Sequence, residues 1–400
     1  MEKLRLRSNQ RIERTSLNYQ RDEWAKIDWT ARLLGIKGAR GIGKTTLLLQ
    51  HIKQIHGFSE KAIYLSLDDI YFTENKLTHF VEAFYRNGGL YLYLDEVHKY
   101  PKWELEIKNI YDTYSDIQII FTGSSMLEIQ KSNADLSRRA VIFSLQGLSF
   151  RQFLNLKYGF KISVYTLDQI LENANEIIAE LNVHGTFKPY PYFKEYLQYG
   201  YYPFFMEGNQ WFFDKLEGIT KAVIESDFLS LTNIDIKNIR KIYQFLLVVA
   251  TSPPFTPNIQ TLSERTGITR NTLVQYIYYL EKADVLTLLQ TQRTGITLLQ
   301  KPEKIYLENT NLLYLFAPTS LDIGMVRETF VLNQLKAVTK IHYPDTGGDI
   351  LVNGTYTFEI GGKSKKKNQI EGLPNSFIIA DEWDYKIGNK IPIWLLGLLY

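Results

Sequence analysis

The chain has no cysteine among its 400 residues. Disulfides and thiolate metal sites are therefore excluded, and a reducing compartment such as the cytoplasm fits. It also lacks a surplus of charge of one sign. Against 43 Asp and Glu stand 46 Lys and Arg, a net +3, too little by itself to argue for nucleic acid. No apolar run approaches the roughly 18 residues of a membrane span. The stretch IPIWLLGLLY at 391–400 is short and is expected to be a buried terminal element. The opening residues, MEKLRLRSNQRIERTS, carry charges every few positions and have no apolar centre of the kind a secretory signal needs. Internal repeats and long low-complexity tracts are missing too. The abundant tyrosines and phenylalanines are spread over every region and read as core. What remains is the balance of an ordinary globular protein of several compact units.

One stretch carries chemistry outright. GARGIGKTT, Gly38 to Thr46, follows the apolar run RLLGIK and precedes a helix-forming segment, Lys44 to Ile55. A glycine-rich loop between a strand and a helix is the context a phosphate-binding loop requires. Gly38, Gly41 and Gly43 let successive backbone N–H groups curl into one concavity, and Ala39, Arg40, Ile42 and Thr46 complete the loop. The helix N-terminus adds partial positive charge. Lys44 is expected to reach the β- and γ-phosphates of ATP, and the Thr45 hydroxyl to ligate Mg²⁺.

Three further apolar runs support this reading. GLYLYL (89–94) ends in Asp95-Glu96. At the end of a buried strand, Asp95 is expected to hold Mg²⁺ and Glu96 to polarise the attacking water. AIYLSL (62–67) lies between the loop and this pair. IQIIFT (117–122) follows it, with Thr122 as a polar sensor and Ser124 and Ser125 close behind, all three equally readable as turn residues. Strands alternating with helices predict a parallel sheet with ligands at the carboxyl ends of its strands. The extra strand and the Asp-Glu pair point to the AAA-like branch of P-loop ATPases. Arg138 and Arg139 precede a last strand, Ala140 to Leu145; by themselves they read as a solvated basic pair, though an arginine there can stabilise transferring phosphate in its own or a neighbouring subunit.

Taken together, GARGIGKTTLL, YLDEVHKYPKWELEIKNIYD, IFTGSSML, LSRRAVIFSLQGLSFRQFL, YLQYGYYPF and TFEIGGKSKKKNQI resemble one family. It comprises AAA-type ATPases of bacteria and archaea with a C-terminal domain related to PD-(D/E)XK nucleases. The resemblance runs from residue 38 to 370. It implies an ATP-binding protein, and it matches the family's arginine to Arg139, with Arg138 where the family has glycine.

Downstream, residues 148–231 read as mainly helical, with Thr166 capping a helix to Leu181. The aromatic run TFKPYPYFKEYLQYGYYPFF reads as packing of a helical lid, with base stacking as the minor alternative. Asn238–Ala250, Asn258–Thr266 and Thr269–Ala283 form three helices with Gly267 at the turn, a helix-turn-helix. Extended segments near 285–292 and 295–299 supply a wing. Thr269, Arg270, Asn271, Thr272 and Gln275 begin the third helix, and DNA contact and a structural role stand even. Beyond Lys301, Glu328 lies on a helix, Asp349 starts one strand and Glu359 ends another. Two such carboxylates and a lysine are the parts of a Mg²⁺-dependent nuclease site. The expected lysine position holds Gly361, and Lys363 falls on the same face if the strand continues.

The expectation is therefore an α/β chain in four parts. These are a P-loop AAA-type ATPase core (1–150), a helical lid (151–235), a winged helix (236–300) and a PD-(D/E)XK nuclease-like α/β domain (301–400). It is expected to be a cytoplasmic Mg²⁺-dependent ATPase, with homo-oligomerisation and DNA among its expected partnerships and no membrane. The nuclease-like site would be Asp349, Glu359 and Lys363. The rival readings are an ATP-regulated nuclease and a non-catalytic nucleotide switch in signalling or defence.

Overall fold

Five short apolar runs build the first sheet. They are β1 (Leu33–Lys37), β2 (Ala62–Ser66), β3 (Tyr91–Asp95), β4 (Gln118–Gly123) and β5 (Val141–Ser144). All pair in parallel, in the order β2-β3-β4-β1-β5. The inner strands are apolar almost throughout, as burial on both faces demands. Helices return the chain between strands: α2 (Lys44–Ile55), α3 (Tyr71–Glu74), α4 (Leu77–Arg86) and α5 (Trp103–Thr113). α4 buries Leu77, Phe80, Val81 and Phe84, the one-sided stripe of a helix on a core. Every carboxyl strand end, including Lys37, Asp95 and Gly123, therefore lies on one edge of the sheet.

The N-terminal residues form a helix, α1 (Glu2–Arg14), with Leu4, Ser8 and Ile12 inward. It closes the free edge of β2. Arg5 donates to the carbonyls of Ala62 (3.1 Å) and Glu60 (2.9 Å), and Ser8 Oγ accepts from the Tyr64 N–H (3.0 Å). An exposed edge strand is a template for unwanted pairing, and these contacts occupy it.

This computed structural model describes residues 1–123, 136, 138–182, 187–227, 238–254, 257–292 and 302–400. It divides into two units, Met1–Gly147 and Leu148–Tyr400. The expected divisions near 235 and 300 both fall inside the second unit.

The second unit begins with helices α6 (Phe150–Tyr158), α7 (Leu167–Leu181), α8 (Pro189–Glu195) and α9 (Phe212–Lys221). Thr166 caps α7 in a reciprocal box with Gln169, which satisfies two otherwise orphaned backbone donors. The aromatic run is core: Phe193, Tyr196, Tyr202 and Phe205 are buried, and Phe193 packs edge-on against Phe330. Buried rings of this kind are closed to base stacking.

Next come α10 (Ile239–Thr251), α11 (Ile259–Thr266) and α12 (Arg270–Lys282), then the antiparallel pair β6 (Leu286–Leu289) and β7 (Lys304–Leu307). Asn258 caps α11, and Gly267 ends it at φ 63°. The partner of β6 is thus β7; the expected wing segment 295–299 lies outside the described residues. After α13 (Thr310–Phe316), helix α14 (Ile323–Lys336) is buried from Val326 to Leu335 except at Arg327. The final sheet runs β12-β11-β10-β9-β8. Its strands are β8 (Ile341–His342), β9 (Ile350–Val352), β10 (Tyr356–Gly361), β11 (Ser376–Ala380) and β12 (Lys390–Pro392). β10 pairs antiparallel with β9 and parallel with β11. Residues 393–398 form a buried 3₁₀ turn, so the terminal stretch is core. Among the described residues no helix is long and apolar enough to cross a membrane.

Candidate functional site

The glycine-rich loop leaves β1 at the carboxyl edge of the first sheet. Gly38, Gly41 and Gly43 have φ of 152°, 81° and 98°, a region closed to most side chains. Gly38 is also hemmed in: a Cβ there would lie 2.3 Å from the Leu145 carbonyl oxygen and 2.6 Å from Ile42 Cδ1. Lys44 opens α2, is buried, and donates from Nζ to the carbonyls of Gly38 (2.8 Å) and Ala39 (2.6 Å). Its ammonium thus lies over the curled loop.

Asp95 ends β3 two strands away, with β4 between β3 and β1. It is 2% exposed and collects three hydroxyls. Thr45 donates to Oδ2 at 2.8 Å and Tyr64 to Oδ2 at 2.7 Å, while Thr122 donates to Oδ1. The Thr122 oxygen in turn accepts the Glu96 N–H at 3.2 Å. Glu96 sits at φ 53°, so the chain swings sharply after Asp95 and aims the two carboxylates differently. Burial and the neighbouring Asp95 charge hold the Tyr64 phenol far above its usual range, so it stays a proton donor.

The Glu96 carboxylate lies 3.5 Å from His98 Nε2 and 4.0 Å from an Arg40 nitrogen. Arg40 Nη2 is 3.0 Å from His98 Nε2. Burial, then the charges of Arg40, Lys99 and Lys44, push the His98 pKa down to about 3. His98 is therefore neutral at pH 7, and Nε2 accepts from Arg40; the contact with Glu96 is not an ion pair. Behind the loop, Arg21 and Glu23 form a buried pair at 2.7 Å. Arg21 also donates to the carbonyls of Ile42 (3.2 Å) and Gly147 (3.1 Å), pinning the loop from beneath.

These residues fit a nucleotide and Mg²⁺. Gly38 permits a backbone approach that a Cβ would block. The Thr45 hydroxyl and Asp95 carboxylate, 2.8 Å apart, are the hard oxygen donors a magnesium ion takes. Gly38, Ala39, Arg40, Gly41, Ile42, Gly43, Lys44, Thr45 and Thr46 form the loop and the first turn of α2; Thr45, Asp95, Thr122 and Glu96 meet at its mouth. Ser124 and Ser125 lie outside the described residues.

Arg139 stands apart from this group. It forks onto Asp112 of α5 at 3.1 and 3.3 Å. It precedes β5, whose Val141 pairs with Leu34 and whose Ser144 pairs with Lys37. Arg139 is thus at the amino edge of the sheet, about 20 Å along the strands from the loop. The exposed Arg138 is beside it.

Residues 30–154 match a family model described as an AAA domain. This part of the chain is an AAA-type domain. Residues 190–321 match a model described as a domain of unknown function, DUF8612. That match crosses both expected divisions, at 235 and at 300. An uncharacterized protein of Methanocaldococcus jannaschii is 29% identical over 268 residues, which is 64% of this chain and 56% of the relative. The match thus spans little more than half of that curated relative. A Walker-type ATPase of Pyrococcus abyssi is 11% identical with a TM-score of 0.40, covering 78% of this chain and 95% of its own. AMPPCP-bound DnaA of Aquifex aeolicus is 18% identical with a TM-score of 0.28, covering 65% and 85%.

Beyond the AAA domain, the C-terminal carboxylates lie together but are already paired. Lys304 Nζ is 3.0 Å from Glu328 and 3.1 Å from Asp349. Asp349 Oδ2 accepts the Ile360 N–H at 2.9 Å. Glu359, wholly buried, pairs with Lys365. The Gln369 amide, turned nitrogen-inward, reaches both Glu359 oxygens at 3.0 Å. Burial first, and Asp349 beside them, raise the pKa of Glu328 and Glu359. Burial alone would lower Lys304, but Glu328 and Asp349 hold it above its ordinary value. Among the described residues no group of three or more His, Cys, Asp or Glu is arranged to hold a metal. A divalent cation does not fit a cluster whose oxygens already face two ammonium groups.

Lys363 is not the lysine at Glu359; Lys365 is. β10 ends at Gly361, and the chain turns, with the Lys365 N–H bonding the Gly362 carbonyl at 3.0 Å. The alternation that would have put Lys363 on Glu359's face stops there. Lys363 is exposed, and its carbonyl accepts from Lys390 at 2.6 Å.

Tyr64, His98, Arg21 and Lys304 are not legible as site residues in the sequence, where Arg40 shows only as a member of the loop and not as a neighbour of His98 and Glu96. Only His98, two positions after Glu96 in DEVHKYPKW, had a local signal.

Proposed function

We propose that the AAA domain binds ATP with Mg²⁺ and hydrolyses it. The observation that carries this reading is the convergence of Thr45, Thr122 and Tyr64 on the buried Asp95, at the mouth of a loop of three positive-φ glycines. The loop N–H groups and Lys44 bind the phosphates. Thr45 and Asp95 hold Mg²⁺, which supplies neutralisation of the phosphate charge. Glu96 orients and polarises the attacking water, and Thr122 fixes the peptide that carries Glu96. Arg40, itself held by neutral His98, faces the Glu96 carboxylate and positions it.

Arg139 acts on the nucleotide of a neighbouring copy. Its place at the amino edge of the sheet supports this, because its own cradle is out of reach. ATP turnover in this reading therefore needs a homo-oligomer.

The elements α10 to β7 support a winged helix-turn-helix that contacts DNA through α12. Arg270, Asn271 and Gln275 are exposed at the start of that helix, where a reading helix meets base edges and phosphates. The paired ammonium groups at Asp349 and Glu359 favour a structural over a cutting role for the C-terminal nuclease-like part.

The test is Glu96→Gln. The variant should bind Mg·ATP as tightly as the wild type and release phosphate at least about a hundredfold more slowly. Wild-type phosphate release by Glu96→Gln would remove Glu96 from the chemistry.

A further inference from the structure

Helix α1 does more than close an edge strand. Arg7, Arg11 and Arg14 recur at spacings of four and three, so they share one flank, beside the face that buries Leu4, Ser8 and Ile12. With Tyr64 and Ser66 of β2, and Asp69, they line a cavity of about 340 Å³ at the carboxyl edge of the first sheet. Arg7 is paired with Asp69. Neither Arg11 nor Arg14 is in an ion pair among the described residues. Three guanidinium groups thus face a cavity with a single carboxylate.

Arg11 is also wired to Asp95. It donates to the Tyr64 hydroxyl at 2.7 Å, and Tyr64 donates to Asp95 at 2.7 Å. We infer that this cavity is a second anion site, taking a run of consecutive phosphates, and that its occupation is read at Asp95 through Arg11 and Tyr64.

The chemistry sets the ligand class. Guanidinium forks match phosphate oxygens. From Arg7 to Arg14 the helix rises about 10 Å, the length of about three phosphates along a nucleic-acid strand. Among the described residues the cavity offers no open ring for a base: Tyr64 is 3% exposed and the Arg11 guanidinium lies over it at 5.3 Å. Recognition is therefore of phosphates, without sequence preference. A polyphosphate and a nucleic-acid backbone share that chemistry. A phosphate that draws Arg11 from Tyr64 weakens the phenol as a donor to Asp95, leaving that carboxylate freer for Mg²⁺. The ligand should tighten Mg·ATP binding, and by linkage Mg·ATP should tighten the ligand by the same factor.

The coupling rests on the ATPase reading; the binding does not. The experiment measures binding of a labelled oligothymidylate and of tripolyphosphate to the full chain, with and without Mg·ATP. It compares the wild type with Arg14→Gln and Tyr64→Phe, each checked for folding by circular dichroism. Arg14→Gln should weaken the ligand about tenfold while basal phosphate release is unchanged, which also separates this site from the glycine-rich loop. Tyr64→Phe should still bind the ligand but lose the mutual effect with Mg·ATP, which in the wild type should be about fivefold or more. The probe that shows the Arg14 dependence identifies the source as strand or free polyphosphate. Absence of binding by both probes, or binding indifferent to Arg14→Gln, overturns the site. Binding with no mutual effect in the wild type overturns the coupling. A wild type that binds the probe yet neither binds nor turns over ATP contradicts the ATPase reading and leaves the site standing.

Discussion

Gly38 and Leu145 approach more closely than any side chain would allow: a Cβ on Gly38 would lie 2.3 Å from the Leu145 carbonyl oxygen. The loop is thereby wedged between β1 and the end of β5, whose Leu145 N–H also bonds the Lys37 carbonyl at 2.8 Å. Gly38→Ala must move backbone on both sides and strain a φ of 152°. It should lower stability by at least about 2 kcal/mol and abolish ATP binding. Denaturant unfolding and nucleotide titration of the variant check both, and a variant with wild-type affinity would show that the loop is not held this way.

Arg139 supplies a test of assembly. Arg139→Ala and Lys44→Ala should each lose phosphate release, by on the order of a thousandfold for the arginine. Mixed together, they should recover part of it, since some interfaces then pair an intact loop with an intact arginine. A mixture as inactive as its components would argue that Arg139 does not serve a neighbour.

His51 links stability to pH. It stacks on Trp29 at 3.9 Å between ring centres and lies 2.6 Å from the Tyr93 hydroxyl, with His56 6.4 Å away. Burial, then His56, lower its pKa to about 4. The folded state keeps the ring neutral, whereas the unfolded chain takes up a proton below about 6.5. Its contribution is therefore full above about pH 6.5 and is lost as pH falls toward 4, on the order of 3 kcal/mol. Urea midpoints between about pH 7 and pH 4 should fall more steeply for the wild type than for His51→Gln; equal slopes would assign the acid sensitivity elsewhere.

Lys304 pairs with the Glu328 and Asp349 carboxylates at 3.0 and 3.1 Å. Lys304→Met should destabilise the chain by about 3 kcal/mol, because it leaves buried carboxylates unpaired. Adding Glu328→Gln should restore part of that loss, as a double-mutant cycle would read. No DNA should be cut with Mg²⁺ or Mn²⁺. Cleavage that disappears in Asp349→Ala would contradict this account.

The parts legible in the sequence are those written locally. The glycine-rich loop, the apolar runs of β1 to β5 and the cap of α7 at Thr166 are each contained in a few consecutive residues, so spacing alone exposes them. Tyr64 and Lys304 were hidden because folding brings them to Asp95 and Glu328 from 31 and 24 positions away. In the sequence α1 shows only as charged residues, because its inward stripe is Leu4, Ser8 and Ile12, with serine in the middle. The Lys363 expectation extrapolated a strand past Gly361-Gly362, where the chain turns.

The most direct measurement of the central claim is equilibrium binding of ATP with Mg²⁺, paired with phosphate release, for the wild type and Lys44→Ala. Lys44 lies over the loop with Nζ within 2.8 Å of two of its carbonyls, where its ammonium would meet the β- and γ-phosphates. The wild type should bind and release phosphate, and Lys44→Ala should lose release and weaken binding at least about tenfold. Equal binding and equal release by the two proteins would contradict the account.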